Sequence, residues 1–213
     1  VSVDGIRNLS DALKTNTTLR SLNLRDTNIG EIEASMLASA LVSNTALQTL
    51  NLTMNDIGVN GATILAGALK TNTTLRLLNL ENNDFGDDGA AALADTLGIN
   101  TSLQILDLGG NDIGDDGATA LGVALKTNTT LQYLNIGSNI IGIYGVTVLA
   151  DALVTNKSLQ LLYIDDSNIG NDGVTVLANT LRTNTSLQTL YLGGNNINTN
   201  TAAPFAKALT ASF

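Results

Sequence analysis

The sequence contains no cysteine, no histidine and no tryptophan, and aromatic residues make up only 3% of it. Without cysteine there can be no disulfide, thiolate metal site or thiol nucleophile. Without histidine the chain lacks the commonest general base and metal ligand near neutral pH, and no serine can have a histidine partner in a catalytic triad. Neither a phosphate-binding P-loop nor a G-x-G-x-x-G motif between a strand and a helix is present. We therefore predict that the protein is not an enzyme and uses neither a metal nor another cofactor.

Positive charge and long apolar runs are scarce as well. Ten basic residues against nineteen acidic ones give a net charge of −9 and a pI near 4.2. Such a charge repels nucleic-acid phosphates and anionic membranes. No apolar run approaches the roughly 18 residues that a membrane-spanning helix needs, and no signal peptide is visible at Val1. We therefore expect a soluble protein with no nucleic-acid or membrane partner.

What the sequence does have is an internal repeat of 28 residues. Each unit opens with Leu-x-x-Leu-x-Leu, with isoleucine as the third residue in two units. Units 1 to 7 begin, without one insertion between them, at Leu19, Leu47, Leu75, Leu103, Leu131, Leu159 and Leu187. If this leucine is position 1, position 9 is asparagine in five units, position 11 is isoleucine or phenylalanine, and position 12 is glycine in all units but the last. Seven in-phase copies predict one structural unit stacked seven times.

Within a unit the apolar period changes from that of a strand to that of a helix. The first residues alternate apolar and polar, as a half-buried strand does. In unit 3, Ala90, Leu93, Ala94 and Leu97 fall at i, i+3, i+4 and i+7, which is one face of a helix. Strand–helix units in series predict an α/β right-handed solenoid with seven parallel strands on one wall and eight helices on the other. We assign residues 1–213 to one domain, in which residues 1–18 form the orphan helix of an earlier unit.

The unit pattern L-x-x-L-x-L-x-x-N-x-I-G, followed by a helix, resembles leucine-rich repeats of the ribonuclease-inhibitor type. This class includes ribonuclease inhibitor, the sensor ends of NOD-like receptors and Ran GTPase-activating proteins, and the resemblance covers essentially the whole chain. It implies a horseshoe-shaped solenoid with a concave parallel sheet and convex helices. It also implies a protein-binding role, because most members bind proteins and few are catalysts.

Three repeated polar positions are interpreted as structural. The position-9 asparagines, such as Asn83 and Asn111, can satisfy backbone groups of neighbouring loops, which the resemblance identifies as an asparagine ladder. Aspartate or asparagine at position 14, such as Asp88 and Asp116, is predicted to cap the following helix. Position 26 is asparagine throughout, from Asn16 to Asn184, and is predicted to end each helix in the left-handed conformation.

Two acidic, glycine-containing loops, residues 83–89 and 111–117, raise the alternative of calcium binding. One aspartate of each is already interpreted as a helix cap, and no bidentate glutamate follows at a suitable distance. We therefore interpret these segments as solvated loops.

The motif Asn-x-Ser/Thr recurs and would carry glycans if the chain were secreted by a eukaryote. One copied position generates six of these sites at once, namely Asn16, Asn72, Asn100, Asn128, Asn156 and Asn184. Extracellular proteins that resemble this one commonly have caps braced by cysteines, which this chain lacks. We therefore expect a cytoplasmic location, with secretion as the alternative.

Functional residues are expected where the units differ on an exposed wall. Positions 3 and 5 flank the buried leucine at position 4 and point to the concave face. There, three of the four tyrosines join aliphatic residues, and exposed tyrosines beside aliphatic residues are typical of binding hot spots. Acidic residues accompany them, and glycines at position 7 (Gly109, Gly137 and Gly193) would allow close backbone approach. The predicted protein-binding residues are Leu77, Ile105, Tyr133, Leu161, Tyr163, Tyr191, Asp107 and Asp165.

Two function hypotheses follow. The first is a non-catalytic protein–protein interaction module that binds its partner on the concave sheet, within a larger sensor or regulator. The second is a protein that regulates an enzyme, as a GTPase activator or a nuclease inhibitor does. The ends are expected to differ. Asn198, Thr201, Pro204 and Phe205 suggest a C-terminal cap, whereas the first strand is expected to have an open edge, which favours either a lost upstream segment or weak self-association.

Overall fold

Each of units 1 to 6 folds as a three-residue strand followed by a helix of 11 to 13 residues, and unit 7 contributes a strand of the same length. The computed structural model describes residues 2–198. Their helices are α1 (Val3–Thr15), α2 (Glu31–Ser43), α3 (Gly58–Leu69), α4 (Gly86–Leu97), α5 (Asp115–Leu125), α6 (Ile143–Thr155) and α7 (Gly170–Leu181). Their strands are β1 (Ser21–Asn23), β2 (Thr49–Asn51), β3 (Leu77–Asn79), β4 (Ile105–Asp107), β5 (Tyr133–Asn135), β6 (Leu161–Tyr163) and β7 (Thr189–Tyr191).

The strands form one parallel sheet in chain order, β1 to β7. Residues 28 apart pair with one another, so that Leu78 pairs with Leu106, and Leu106 pairs with Leu134. Each helix packs against the helices of the adjacent units. The predicted α/β solenoid, with a concave parallel sheet and convex helices, is confirmed. The predicted eighth helix, and Thr201, Pro204 and Phe205 of the expected cap, lie outside the described residues.

The core is built from the same positions of every unit. In unit 2 the strand and its turn contribute Leu47, Leu50, Leu52 and Ile57, all almost fully buried. The helices add alanine and leucine pairs such as Ala90 and Leu93 in unit 3. Since the buried set repeats every 28 residues, one layer of side chains continues from unit to unit. No described helix has the length and apolarity needed to cross a membrane.

The asparagine ladder predicted at position 9 is confirmed. Asn111 is fully buried, and its Nδ2 donates to the carbonyl oxygens of Leu80, Leu108 and Gly109 at 2.9–3.0 Å. Its Oδ1 accepts from the amide of Asn83 at 2.7 Å. Each such side chain therefore satisfies backbone groups in its own unit and in the preceding one, away from water.

A second asparagine ladder runs along position 26, where the predicted left-handed helix ends are wrong. Asn44 ends α2 with φ −74° and ψ 127°, which is extended backbone. Its Oδ1 accepts from the amides of Ala46 and Leu47, and its Nδ2 donates to the carbonyl oxygen of Leu13, in the last turn of α1. The bond to the preceding helix recurs at 2.6–2.8 Å from Asn72, Asn100, Asn128, Asn156 and Asn184. The side-chain amide at position 26 thus caps the C-terminal end of the helix in the preceding unit.

The predicted helix cap at position 14 is also wrong. Asp88 and Asp116 lie inside the first turns of α4 and α5, and neither helix receives a side-chain cap from its own N-cap residue. The cap of α5 comes instead from Asp87, at position 13 of the preceding unit. Its Oδ1 accepts from the amides of Gly114 and Gly117 at 2.7 and 2.8 Å. Helix α5 is therefore capped across the boundary between two units.

Candidate functional site

The sheet register brings the predicted binding residues together on one face. The four at position 3 lie on consecutive strands β3 to β6, and the three at position 5 lie on β4, β6 and β7. Asp165, at position 7, lies two residues beyond the end of β6. Their side chains are half-buried, except that Asp107 is buried and Tyr191 is 46% exposed. We name this set the concave patch; its members are Leu77, Ile105, Tyr133, Leu161, Tyr163, Tyr191, Asp107 and Asp165.

Three tyrosine rings at the C-terminal side of the patch are in contact. The rings of Tyr163 and Tyr191 are stacked, with centroids 4.0 Å apart and planes inclined by 7°. Tyr133 packs against Tyr163 at a centroid distance of 5.3 Å and an angle of 43°. Such contacts hold the rings in place before any partner arrives, which lowers the entropic cost of using them in binding.

Asp107 is recessed below this surface. Its carboxylate is 9% exposed and accepts from the amide of Gly109 at 3.2 Å, from Nδ2 of Asn135 at 2.9 Å and from Nδ2 of Asn79 at 3.3 Å. Burial raises the pKa of Asp107 from 3.8 to about 6, and the negative charges of Glu81 and Asp165 add to the rise, while the hydrogen bonds oppose it. This group therefore carries a proton below about pH 6.

The second acidic member, Asp165, covers the backbone of Gly137. A Cβ on Gly137 would lie 2.6 Å from Oδ1 of Asp165, and one on Gly109 would lie 3.1 Å from Nδ2 of Asn135. The expected close approach of a partner to these two glycines is therefore wrong, because side chains of neighbouring units fill the space. Among residues 2–198, no atom lies within 4 Å of where a Cβ on Gly193 would stand.

The carboxylates of this face have no cationic partner among the described residues. None of Glu81, Asp107 and Asp165 takes part in an ion pair within residues 2–198. The ion pairs of the described residues are Arg7–Asp4, Lys14–Asp11 and Lys126–Asp151. Burial, followed by the charge of Asp107, raises the pKa of Tyr133, so its hydroxyl stays protonated at neutral pH. The face thus presents the neutral phenol of Tyr133 beside carboxylates that form no ion pair among the described residues.

The acidic loops contain no arrangement typical of a metal site. Within residues 2–198 no group of three or more acidic side chains is placed to hold a metal ion. In the first loop, Asp87 is committed to the amides of Gly114 and Gly117 in the next unit. Its geometry is that of a helix cap.

Two exposed residues were missed by the sequence reasoning. Ile140 and Tyr144 of unit 5 are 66% and 75% exposed, more than any other large apolar side chain described. They stand at positions 10 and 14, which are mostly aspartate or asparagine in the other units. Their departure from the repeat was the signal that could have found them.

Comparison with known proteins agrees with the fold. A family model described as "Leucine Rich repeat" matches residues 15–32, 43–66, 71–94, 100–122, 127–150, 155–178 and 183–206. No curated protein sequence matches the chain.

Two solved structures are similar to it. "Leiomodin-1 Actin-Binding Site 2 (ABS2)" is 23% identical, with a TM-score of 0.62, and the match covers 69% of this chain and 86% of that one. The tropomodulin C-terminal domain of Caenorhabditis elegans is 13% identical, with a TM-score of 0.40, and the match covers 100% and 93%. The first likeness concerns the fold alone. Since the family model matches well over half of the sequence, and the matched segments are the strand–helix units described above, the chain belongs to the leucine-rich repeat family, in its ribonuclease-inhibitor type.

Proposed function

We propose that the chain is a non-catalytic protein-binding module that takes its partner on the concave patch. Leucine-rich repeat solenoids offer a wide sheet face that is suited to this role. The residues of the patch are not needed to build the repeat, because other units have serine, threonine or asparagine at the same positions, as at Ser21, Thr49 and Asn135.

One observation carries the proposal: the contact of Tyr133, Tyr163 and Tyr191 on an open sheet face. Tyrosine is enriched at the centres of protein interfaces, where its ring gives a large contact area and its hydroxyl a hydrogen bond. The neighbouring Leu161 is half-buried and extends the same surface with aliphatic area.

Charge narrows the chemistry of the partner. Glu81, Asp107 and Asp165 form no ion pair among the described residues. Covering them with a basic segment would therefore cost less free energy of desolvation than covering them with an acidic one. We therefore expect a partner with an apolar centre and lysine or arginine around it. The alternative role as a regulator of an enzyme, either a GTPase or a nuclease, uses the same face and differs in the identity of the partner.

A capture experiment with matched variants tests the proposal. The wild-type chain is immobilised and exposed to a native lysate beside Tyr133→Thr/Tyr163→Asn, which restores residues that other units carry. Ile32→Asp is the control, because Ile32 is an equally conspicuous exposed side chain (63%) remote from the patch. Proteins retained by the wild type and the control but not by the double variant are identified by mass spectrometry and titrated. Purified actin is included, because the leiomodin-1 structure bears an actin-binding title.

We expect binding at least 30-fold weaker in the double variant than in the wild type, which is the scale of a hot spot. A captured GTPase or nuclease whose activity changes on binding would favour the enzyme-regulating role. Equal binding by the wild type and the double variant would rule out the concave patch as the site.

A further inference from the structure

Ile140 and Tyr144 mark a surface away from the concave patch. Ile140 lies in the turn that leads from β5 to α6, and Tyr144 lies in the first turn of that helix. Elsewhere position 10 is polar, as Asn28, Asp56, Asp84, Asp112, Asn168 and Asn196. Position 14 is polar in units 2, 3, 4 and 6, as Asn60, Asp88, Asp116 and Asp172. Because those units fold with polar residues here, the fold does not require the two apolar side chains of unit 5.

Contacts between other units show which residues surround this pair. The position-10 side chains of units 6 and 7 touch, since Nδ2 of Asn196 donates to Oδ1 of Asn168 at 3.3 Å. In the same way Nδ2 of Asn60, at position 14, donates to Glu31, at position 13 of the unit before, at 3.2 Å. The unit repeat therefore places Ile140 between Asp112 and Asn168. It also places Tyr144 beside Asp115.

The surroundings of the pair are negatively charged. Asp112, Asp116 and Asp172 are exposed, and none of them belongs to an ion pair among the described residues. Two apolar side chains open to water, with carboxylates in the units on either side, complement an apolar group that is flanked by cations. An acidic or purely apolar partner would leave these carboxylates desolvated without compensation.

We propose that Ile140, Tyr144, Asp112 and Asp172 form a second docking surface, the acidic rim, for a protein segment that carries a large apolar side chain flanked by lysine or arginine. The rim is independent of the concave patch, because its residues lie in the turns and first helical turns that follow β4, β5 and β6, and none lies on a strand. A partner of the rim binds whether or not the patch is intact.

The probe is a library of random peptides displayed on phage. The library is first depleted on Ile140→Asp/Tyr144→Asp, which restores aspartates found in sister units, and is then selected on the wild-type chain. Circular dichroism and melting of the variant establish that its fold is kept. Enriched sequences are synthesised and titrated by fluorescence polarisation.

We expect enriched peptides to carry a leucine, isoleucine or aromatic residue beside lysine or arginine. Their affinity should fall at least 30-fold in the depleting variant and about five- to tenfold in Asp112→Asn/Asp172→Asn, which keeps the apolar pair. It should stay within twofold in Ile32→Asp, the matched exposed position of unit 1, and in Tyr133→Thr/Tyr163→Asn. The last variant separates this proposal from that of the concave patch. Failure to enrich any peptide, enrichment of peptides without basic residues, or equal loss in the concave variant would overturn the acidic rim.

Discussion

The carboxylate of Asp87 in α4 accepts a hydrogen bond from the amide of Gly114, 2.7 Å away in the next unit. The same oxygen accepts from Gly117 at 2.8 Å, so one side chain satisfies two of the free amides at the start of α5. A repeat that caps its neighbour ties the formation of each helix to the stacking of the units. Such contacts give a solenoid its cooperativity.

Asp87→Ala is expected to destabilise the chain by about 0.5–2 kcal/mol, the usual cost of losing an N-terminal cap. Asp88→Ala is the matched control, because Asp88 lies in the same first turn but is exposed and caps no helix. Urea denaturation followed by circular dichroism measures both. Equal losses in the two variants would show that the effect comes from the charge near α4 and not from the bond to α5.

The ladder at Asn111 predicts an order of stabilities. Asn111→Ala leaves buried carbonyl and amide groups without partners, at a cost of about 2–4 kcal/mol. Asn111→Ser should cost less, because Ser167 at the equivalent position donates to carbonyl oxygens of Ile136 and Asp165. Asn111→Asp should cost the most at neutral pH, because the oxygen that replaces Nδ2 would face three carbonyl oxygens and have no hydrogen to donate to them. Thermal melts of the three variants test the order, and an Asp variant as stable as the Ser variant would contradict it.

Replacing Asp107 by asparagine is expected to raise the stability of the folded chain by an amount that depends on pH. Its pKa is about 6 in the folded chain against an ordinary 3.8, so the folded state binds the proton more tightly than the unfolded state does. Its contribution to stability therefore falls as the pH rises from 3.8 to about 6, and it is constant above that window. Asp107→Asn, with the residue present at Asn79 and Asn135, removes this dependence. Its stability relative to the wild type should grow by roughly 2–3 kcal/mol across the window. Denaturation at pH 4 to 8 measures the difference, and a flat difference would refute the prediction.

The tyrosines of the patch should matter for binding more than for stability. Tyr133→Ala/Tyr163→Ala should lose the ring contacts, about 0.5–1.5 kcal/mol for each pair, and the buried part of two half-exposed rings, yet weaken partner binding by about 2 kcal/mol or more. Leu134 follows Tyr133 in β5, points to the other face of the sheet and is fully buried. Leu134→Ala should therefore cost about 2–5 kcal/mol of stability through the cavity it leaves. Melting curves and titrations separate the two effects. Tyrosine variants that melt as low as Leu134→Ala would assign these rings to the core.

The edge of β1 predicts weak self-association. No described strand precedes β1, so one side of it can pair with another chain. Sedimentation equilibrium should show an average mass that rises above 22.0 kDa with concentration. Ser21→Lys, which places a charge on the edge strand, should reduce the rise. A strict monomer at high concentration would contradict the prediction.

The sequence by itself determined the solenoid and the face on which its variable residues lie. A strict 28-residue period leaves one way to stack the units, because each leucine of the pattern must be buried against its counterpart. The same period assigned Tyr133, Tyr163 and Tyr191 to one sheet face, since side chains alternate along a strand. The ladder at Asn83 and Asn111 followed from the need to satisfy backbone groups in a turn.

Only the tertiary structure decided how the units cap one another. The bond from Asn44 to Leu13 and that from Gly114 to Asp87 join residues 31 and 27 apart, so they depend on the offset between stacked units, which local sequence does not encode. The same holds for the recess of Asp107, for the space over Gly137 and for the exposure of Ile140. Each is set by the side chains that adjacent units bring beside it, because burial is a property of packing and not of a residue's own type.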